Sequence, residues 1–534
     1  MNYKKVTALF LAAAMMVSSL VACGGGKDTG KDGAGKGAAS SEEGGEETPT
    51  EEVSLPLKET MEFTSFSGLN QEYALGDNIA MKKAMEDANI NITFDSVLGA
   101  DIIEKRNLVL ASGEYPDMFF KAGLSINDLN KYGPQGIFIP LEDLIKQYAP
   151  NLSAKLDEMD AWQYITSPDG HIYSLPEISR PTGANPAYWV DKKWMDNLGL
   201  QEPKSFEELY EVLKAFKEED ANGNGDASDE IPLTFTDVVK PELLLQYADY
   251  AYDTNTKTAV IDGELTYIPT SEKWKEFVAY ITKLYQEGLM DKNSFTQKHE
   301  QQGAIGQAGD VLGTFFDAGA FLTVGRDNDD DYILLTPFQE GTIPNSPGVT
   351  PGTLAITDAC EHPEILVAWA DKFYSEDGGI LAWLGVEGET YKVNDKGEWE
   401  WITGGEYGDD IATVRSSETI QGAQNHPSIQ PDFWFDNMSA EVDPDEVYLI
   451  EQREKAAALG VVPLPMMNYS DADMKTISTL KTDLDAYIDQ YLAQVATGEL
   501  NLEDSWEEYV ATANAMGAEE LTSIYQKAYS EAEK

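Results

Sequence analysis

The chain has 534 residues, 42% hydrophobic and 10% aromatic, an ordinary globular composition whose length predicts about two to four domains. Against 38 Lys and Arg stand 94 Asp and Glu, a formal net charge of -56. A surface that negative repels phosphate backbones, which excludes nucleic acid as a partner.

The first segment, "MNYKKVTALFLAAAMMVSSLVACGGG", places Lys4 and Lys5 before an apolar run from Val6 to Val21 and then small residues. That is the layout of a secretory signal, and the run is short for a membrane span. Leu20-Val21-Ala22-Cys23 reads as a bacterial lipobox, in which Cys23 takes a diacylglyceryl group and becomes the mature N-terminus; a plain signal peptide with a chance cysteine is the alternative. The only other cysteine is Cys360, so the lipidated chain has no intramolecular disulfide. Residues 1–22 are then a signal peptide and 23–56 a Gly-rich, acidic tether that cannot bury enough surface to fold. No later hydrophobic run is long enough to span a bilayer.

From residue 59 strand and helix patterns alternate. "TMEFTSFS" is strand-like, "NIAMKKAMEDAN" helical, and "INITFDSV" sets Ile90, Ile92 and Phe94 on one face against Asn91, Thr93 and Asp95. "DIIEKRNLVLASG" is a helix closed by Gly113, and "YPDMFF" a short strand. This order predicts βαβ units on a parallel sheet. "IPLEDLIKQYAPNLSAKLDEM" reads as mostly helical and "DGHIYSLPEI" as a turn and strand. A second unit begins near Tyr188; Ser205 and Glu208 predict a capping box for a helix whose buried stripe is Phe206, Leu209, Leu213 and Phe216. "IPLTF" and "DVLGTFFDAGAFL" read as strands, "PELLLQYADYAYD" and "SEKWKEFVAYITKLYQEGL" as helices, and the remainder is strongly helical.

The tethered start, "LASGEYPDMFF", "DGHIYSLP", "WVDKKWMDNLGL…PKSFEELYEVLKAFKEEDANGNGD…DEIPLTF", "LGVEGETYKVNDKGEWEW" and "SWEEYVATANAMGAEELTSIYQKAY" together resemble one family across nearly all of residues 59 to 534. It is the extracellular solute-binding lipoproteins of bacterial ABC sugar importers, in the branch that includes alginate-oligosaccharide-binding proteins. The resemblance implies an α/β, two-lobe periplasmic-binding-protein-like fold with a multi-strand hinge and a helical C-terminal portion. Residues 59–180 would open the first lobe, 181–340 would form the main part of the second, and 341–534 would be shared. It implies a monomer on the extracellular face of the cell membrane, anchored through Cys23. There it captures a saccharide and delivers it to ABC permease subunits.

The stretch "DANGNGDASDE" carries a candidate Ca²⁺ site. Asp220, Asn222 and Asn224 occupy the first, third and fifth places of a calcium loop, and Gly225 the turn position. The twelfth position is Ile231 where an EF-hand has Glu, and a strand is expected where a second helix would follow. Related binding proteins carry a helix–loop–strand calcium loop of the form D-x-N-x-N-G-x-x-D-E; here Ser228 makes Asp229-Glu230 arrive one residue late. The reading is a structural ion held by Asp220, Asn222, Asn224, the Asp226 carbonyl and Glu230, with Asp229 as an alternative to Glu230. A solvated acidic turn is the bland alternative.

Ligands of open α/β sheets bind beyond the carboxyl ends of the strands. That rule selects Asn70, Lys121, Asp237 and Asp317, each just after a strand-like stretch. Sugars also need aromatic faces, for which Trp189, Trp383, Tyr391 and Trp434 of "FWF" are candidates; Trp194 and Trp369 fall in helical apolar stripes and are assigned to core. A basic cleft around Lys121 or Arg180 would be needed to accept a polyanionic sugar. The rival functions are a surface glycan-binding or adhesion lipoprotein without a transporter, and a secreted glycoside hydrolase. The hydrolase lacks sequence support: His171, His299, His362 and His426 are scattered, and there is no H-E-x-x-H, nucleophile elbow or P-loop.

Overall fold

Parallel pairing begins the fold. In the computed structural model, which describes residues 53–533 apart from 70–73, 182, 184, 340–341, 405–410, 422–424 and 442–443, strand β1 (Met61–Leu69) runs parallel to β2 (Ile90–Leu98). Met61 lies opposite Ile90, and the register holds to Leu69 opposite Leu98. Cys23 and Asn70 lie outside the described residues. The crossover between the two strands is the helix Ile79–Ala88, started by the Asn78 side chain accepting from the Met81 amide at 2.9 Å. A second helix, Ile102–Ser112, closed by Gly113 at φ 78°, leads to β3 (Met118–Phe120) on the other side of β1. Ile90 and Ile92 are buried and Asn91 and Thr93 exposed, so the period-two pattern marks the buried face of β2.

The remaining strands are β4 (Leu175–Ile178), β5 (Ala187–Asp191), β6 (Tyr252–Asp253), β7 (Thr258–Ile261), β8 (Glu264–Tyr267), β9 (Thr314–Asp317), β10 (Tyr332–Leu334), β11 (Val349–Ile356), β12 (Tyr391–Val393), β13 (Trp399–Trp401) and β14 (Ser428–Ile429). The large sheet has the order β14-β4-β11-β3-β1-β2, with only β11 antiparallel to its neighbours. A three-stranded antiparallel sheet, β10-β5-β9, anchors a second body. At a register shift in β11, Gly352 has φ 85°, and a Cβ there would lie 2.1 Å from the Leu124 carbonyl, so only glycine lets the strand pass.

Each sheet has its own core. Phe63, Met118, Leu175, Leu354, Trp369 and Phe373 pack around the large sheet. Tyr188, Phe216, Phe316, Trp274, Leu484 and Tyr509 pack around the small one, drawing in the helices Phe206–Glu218, Glu272–Gln286, Asp471–Ala496 and Leu502–Ala515. β11, β14 and the helices Pro363–Asp371 and Glu376–Leu384 therefore belong with the large sheet, while the helices of 471–532 complete the core of the small one. Trp194 and Trp369 are both fully buried, as their helical stripes predict.

Between described elements the chain passes from one body to the other three times, after β4, after β10 and after β14. The large-sheet ends of these passages are stitched together: the Ser179 amide donates to the Gly348 carbonyl at 2.8 Å and the Gln430 amide to the Ile178 carbonyl at 2.7 Å. The Asn345 amide donates to the Val461 carbonyl at 2.8 Å and the Val461 amide to the Ile343 carbonyl at 2.9 Å.

Several local expectations need correction. Ser205 caps its helix, accepting from the Glu208 amide at 3.1 Å, but the Glu208 carboxylate takes the Lys204 amide, so the reciprocal half of the box is missing. "IPLTF" pairs only through isolated bridges at Ile231, Leu233 and Thr234. "PELLLQY" is a 3₁₀ turn, "DVLGTFFDAGAFL" is a strand only over Thr314–Asp317 before the short helix Ala320–Val324, and Pro150 splits the 142–158 region into two helices.

Asp191, at the end of β5, is fully buried and caps the helix Lys192–Leu198 by accepting from the Trp194 amide at 2.8 Å; its Oδ2 has no partner. Burial, with the charges of Asp310 and Asp331 adding to it, pushes this carboxyl up to about 8. A folded pKa above the unfolded one means stability is complete at low pH and is lost as pH rises from about 4 to about 8. Asp191→Asn keeps a capping oxygen and removes the charge. Its Tm relative to the parent is expected to climb between pH 5 and 8 and then level off; a difference that does not change with pH in thermal melts refutes the assignment.

Candidate functional site

The strand directions decide which edge of each sheet can hold a ligand. β4 and β14 run parallel to each other, and β4 has the same direction as β3 and β1, since both β4 and β3 are antiparallel to β11. The carboxyl ends of β1, β3, β4 and β14 thus share one edge with the start of β11, and all three passages join the large sheet there. In the small sheet β5 starts, and β9 and β10 end, at a single edge. Both sheets offer the passages the edge that open α/β sheets use for ligands.

At the large-sheet edge, Lys121 follows β3 with φ 54°, and its buried ammonium donates to the Ile420 carbonyl. Burial pushes it down to about 8, partly offset by the Glu177 carboxylate. Glu177, in β4, accepts from the His426 amide at 3.1 Å and lies 3.2 Å from His426 Nδ1. Burial lowers the His426 pKa against the opposing pull of that carboxylate. His426 Nε2 lies 3.0 Å from the Ser428 hydroxyl oxygen, which accepts from Trp383 Nε1 at 3.0 Å. A continuous polar chain therefore runs from Glu177 to a half-buried indole. Its members Glu177, His426 and Ser428 escape sequence reasoning because 249 positions separate Glu177 from His426 and no local pattern joins them.

At the small-sheet edge, Asp317 ends β9. Its Oδ2 accepts from Thr323 Oγ1 at 2.6 Å and lies 2.8 Å from His299 Nε2; its Oδ1 takes the Ala318 amide at 2.7 Å. Asp237 pairs with Lys298, the residue before His299. Arg180, on the first passage, binds Asp432 and Asp436 at 2.8 Å each and Glu454 at 2.9 Å, while its guanidinium lies 4.6 Å from the Phe435 ring centre. Neither Lys121 nor Arg180 is free to make the basic cleft that sequence alone allowed.

Three aromatic candidates are closed off. Trp189 is 1% exposed and donates from Nε1 to the Asp317 carbonyl at 3.1 Å, holding the strand end in place. Tyr391 and Trp434 are 6% and 3% exposed and pack with Trp399 and Trp401. The "FWF" triplet lies on a short helix, Asp432–Asp436, which turns Trp434 inward and leaves Phe433 and Phe435 at the rim. Trp383, 5.5 Å from Trp434 between ring centres, is only half-buried.

The acidic loop folds on itself. Gly225 N donates to Asp220 Oδ2 at 2.9 Å, Asn224 N to Asn222 Oδ1 at 2.9 Å, and Asp226 N to Asn224 Oδ1 at 2.7 Å. Asp229 is occupied by the Asn222 and Asn224 amide groups at 3.3 and 2.8 Å. Two buried carboxylate oxygens remain without partners, Asp220 Oδ1 and Glu230 Oε2. Burial raises the Glu230 pKa, and Asp229 adds to the effect. Among the described residues, His, Cys, Asp and Glu side chains form no group of three or more placed to hold a metal, so a cation here would draw on amide and carbonyl oxygens as well. The orphaned carboxylate oxygens fit that donor set.

Comparison with known proteins agrees with this architecture. The model of the bacterial extracellular solute-binding protein family matches residues 70–380. The fructooligosaccharide ABC transporter substrate-binding protein FusA of Streptococcus pneumoniae is 27% identical over 504 residues, 90% of this chain and 92% of FusA. The structure of FusA with kestose superposes with a TM-score of 0.68 at 25% identity, covering 89% of this chain and 99% of that one. A solute-binding protein of Bifidobacterium longum infantis that binds human-milk oligosaccharides shares the fold with a TM-score of 0.73 at 21% identity, over 88% and 99% of the two chains. The polygalacturonan/rhamnogalacturonan-binding protein YtcQ of Bacillus subtilis is 28% identical over 250 residues, 45% of this chain and 47% of YtcQ. With its family model matched over more than half its length and two lobes linked by three passages, this chain belongs to the bacterial extracellular solute-binding proteins.

Proposed function

We propose that this protein captures an oligosaccharide between its two lobes and delivers it to the permease subunits of an ABC importer, acting as a binding protein and not as an enzyme. The observation that carries this reading is the shared hinge-side edge of the two sheets. One lobe brings Trp383 and the Glu177–His426–Ser428 chain to that edge, and the other brings Asp317 and His299. Side chains already fixed by neighbours lose little entropy on binding hydroxyls, and an indole face suits the C–H surface of a sugar ring. Passages stitched at one edge permit hinge closure, which would offer a permease a loaded state distinct from the empty one. Its relatedness to FusA along nearly the whole chain supports the oligosaccharide class. Anchoring at the extracellular face of the membrane through a lipid on Cys23 follows from the lipobox, and the expected working state is a monomer. In this reading residues 59–180 open the first lobe, 181–340 form the main part of the second, and 341–534 are shared between them.

Trp383→Ala is expected to weaken oligosaccharide binding about tenfold by titration calorimetry, the scale of one aromatic contact. Affinity equal to the parent's would remove Trp383 from the site.

The acidic loop is proposed to hold a structural Ca²⁺ through Asp220, Asn222, Asn224, the Asp226 carbonyl and Glu230, with Asp229 bracing the two amides. An ion that binds only the folded state stabilises it by about 2.7 kcal/mol at a hundredfold excess over Kd. Its binding site includes a Glu230 carboxyl whose folded pKa lies above the ordinary 4.5, so the ion-free protein loses stability as pH rises past that value. Calcium is therefore expected to raise Tm more at pH 7 than at pH 4.5. Asp220→Ala and Glu230→Gln are each expected to abolish the rise, and a calcium shift surviving in both variants would locate the ion elsewhere.

A further inference from the structure

In this strongly acidic chain, most described arginines sit beside carboxylates. Arg106 pairs with Asp128, Arg180 with Asp432, Asp436 and Glu454, and Arg326 with Asp445. Arg453 differs. One of its terminal nitrogens donates to the Ala318 carbonyl at 2.6 Å, and its buried Nε–H has no acceptor. Among the described residues, no carboxylate lies within ion-pairing distance of it. Burial lowers its pKa, with only the more remote Glu446 acting in the opposite sense.

Its place in the fold is specific. Arg453 lies on the helix Pro444–Ala457, next to the Glu454 that holds Arg180 on the first passage. Ala318 directly follows Asp317, so the guanidinium stands at the hinge-side end of β9. The nearby carboxylate of Asp317 does not neutralise it, being taken up by His299, Thr323 and the Ala318 amide.

A charge withdrawn from water without a counter-charge is costly, and the cost remains if a neutral hydroxyl fills the empty donor site. A carboxylate satisfies the donors and the charge together, since its two oxygens match the guanidinium fork. The net charge of -56 does not overrule this. Exposed carboxylates are screened over about 8 Å at physiological salt, whereas an anion in contact with a half-buried guanidinium is screened far less.

We propose that Arg453 is an anion anchor in the hinge-side site, and that the captured saccharide carries a carboxylate, as a uronic acid does. This rests on the saccharide reading above and narrows it to acidic sugars.

The test is calorimetry on the mature protein with galacturonate, glucuronate and mannuronate trisaccharides, each beside its carboxyl-reduced neutral form, and with kestose. At least one acidic trisaccharide is expected to bind tenfold or more tightly than its reduced form, with the preference shrinking at high salt. Arg453→Gln is expected to lower that affinity at least tenfold and to leave binding of the reduced form within twofold. Arg453→Lys is expected to retain part of the preference, and it carries the test if the Gln variant does not fold. Equal binding of acidic and reduced forms, or equal loss of both in the variants, overturns the anchor. Binding of kestose alone overturns the anchor and leaves the saccharide reading intact, while failure of every sugar takes down both.

Discussion

Everything about this site depends on three chain passages sharing one edge of each sheet. The Ser179–Gly348 and Gln430–Ile178 hydrogen bonds tie the passages where they leave the large sheet. Because strands β1, β3, β4 and β14 end at that edge, residues far apart in the chain arrive beside one another there. Glu177 and His426 meet only because β4 and β14 are neighbours. In the small sheet, the antiparallel order β10-β5-β9 does the same for Asp317, placing it beside the start of β5. The Trp189 Nε1 bond to the Asp317 carbonyl then fixes the strand end. An aromatic expected to stack on a ligand instead holds the backbone beneath the polar cluster.

Buried charge organises the second level. Among the described residues, Asp191, Glu230 and Arg453 each keep a buried polar atom without a partner, and they are not equivalent. Asp191 favours a proton, because burial disfavours its charge, the Trp194 amide supplies only one hydrogen bond, and Asp310 and Asp331 add like charge against Lys193. Glu230 has the Ala221 amide at 3.1 Å on one oxygen and none on the other, in a loop where Asp220 Oδ1 is also without a partner. Arg453 has the Ala318 carbonyl and nothing for its Nε–H. A proton, a cation and an anion are the three ways such imbalances close, and local geometry selects among them. Asp191 is sealed in the core, while the Glu230 loop is open to solvent on one side and Arg453 stands at the hinge-side edge.

Local periodicity made the first lobe readable. Alternation in "INITFDSV" and the 3.6-residue stripe of "NIAMKKAMEDAN" depend on neighbours within one element, so β1, β2 and their crossover helix appear where the pattern puts them. Trp194 and Trp369 were legible as core for the same reason. The aromatic candidates were not, because nothing in the "FWF" run tells which ring faces inward until the Asp432–Asp436 helix turns Trp434 toward Trp399. "IPLTF" has strand composition, yet its partners at Leu312, Phe315 and Met290 accept it only at single positions. The polar chain from Glu177 to Trp383 was invisible, since it exists only through the order of strands in the sheet. Arg453 was equally hidden: within "LIEQREKAAALG" it looks like one more charge on a solvated helix face.

The acidic composition acquires a different meaning beside these sites. With 94 acidic against 38 basic residues, each cation in the interior can be given a carboxylate at little cost in composition. Arg180 shows the extreme, one guanidinium holding Asp432, Asp436 and Glu454 where the passages meet. Lys257 meets Glu242 in a mostly buried pair, and Arg106 meets Asp128. Where acid is abundant, an arginine left without a carboxylate is more informative than it would be in a balanced protein, because the usual remedy is close at hand and was not used. The residue after Arg453 is Glu454, yet it turns to Arg180, and Asp317 turns to His299 and Thr323. The guanidinium therefore stays uncompensated beside carboxylates committed elsewhere, at the edge where the fold directs a ligand.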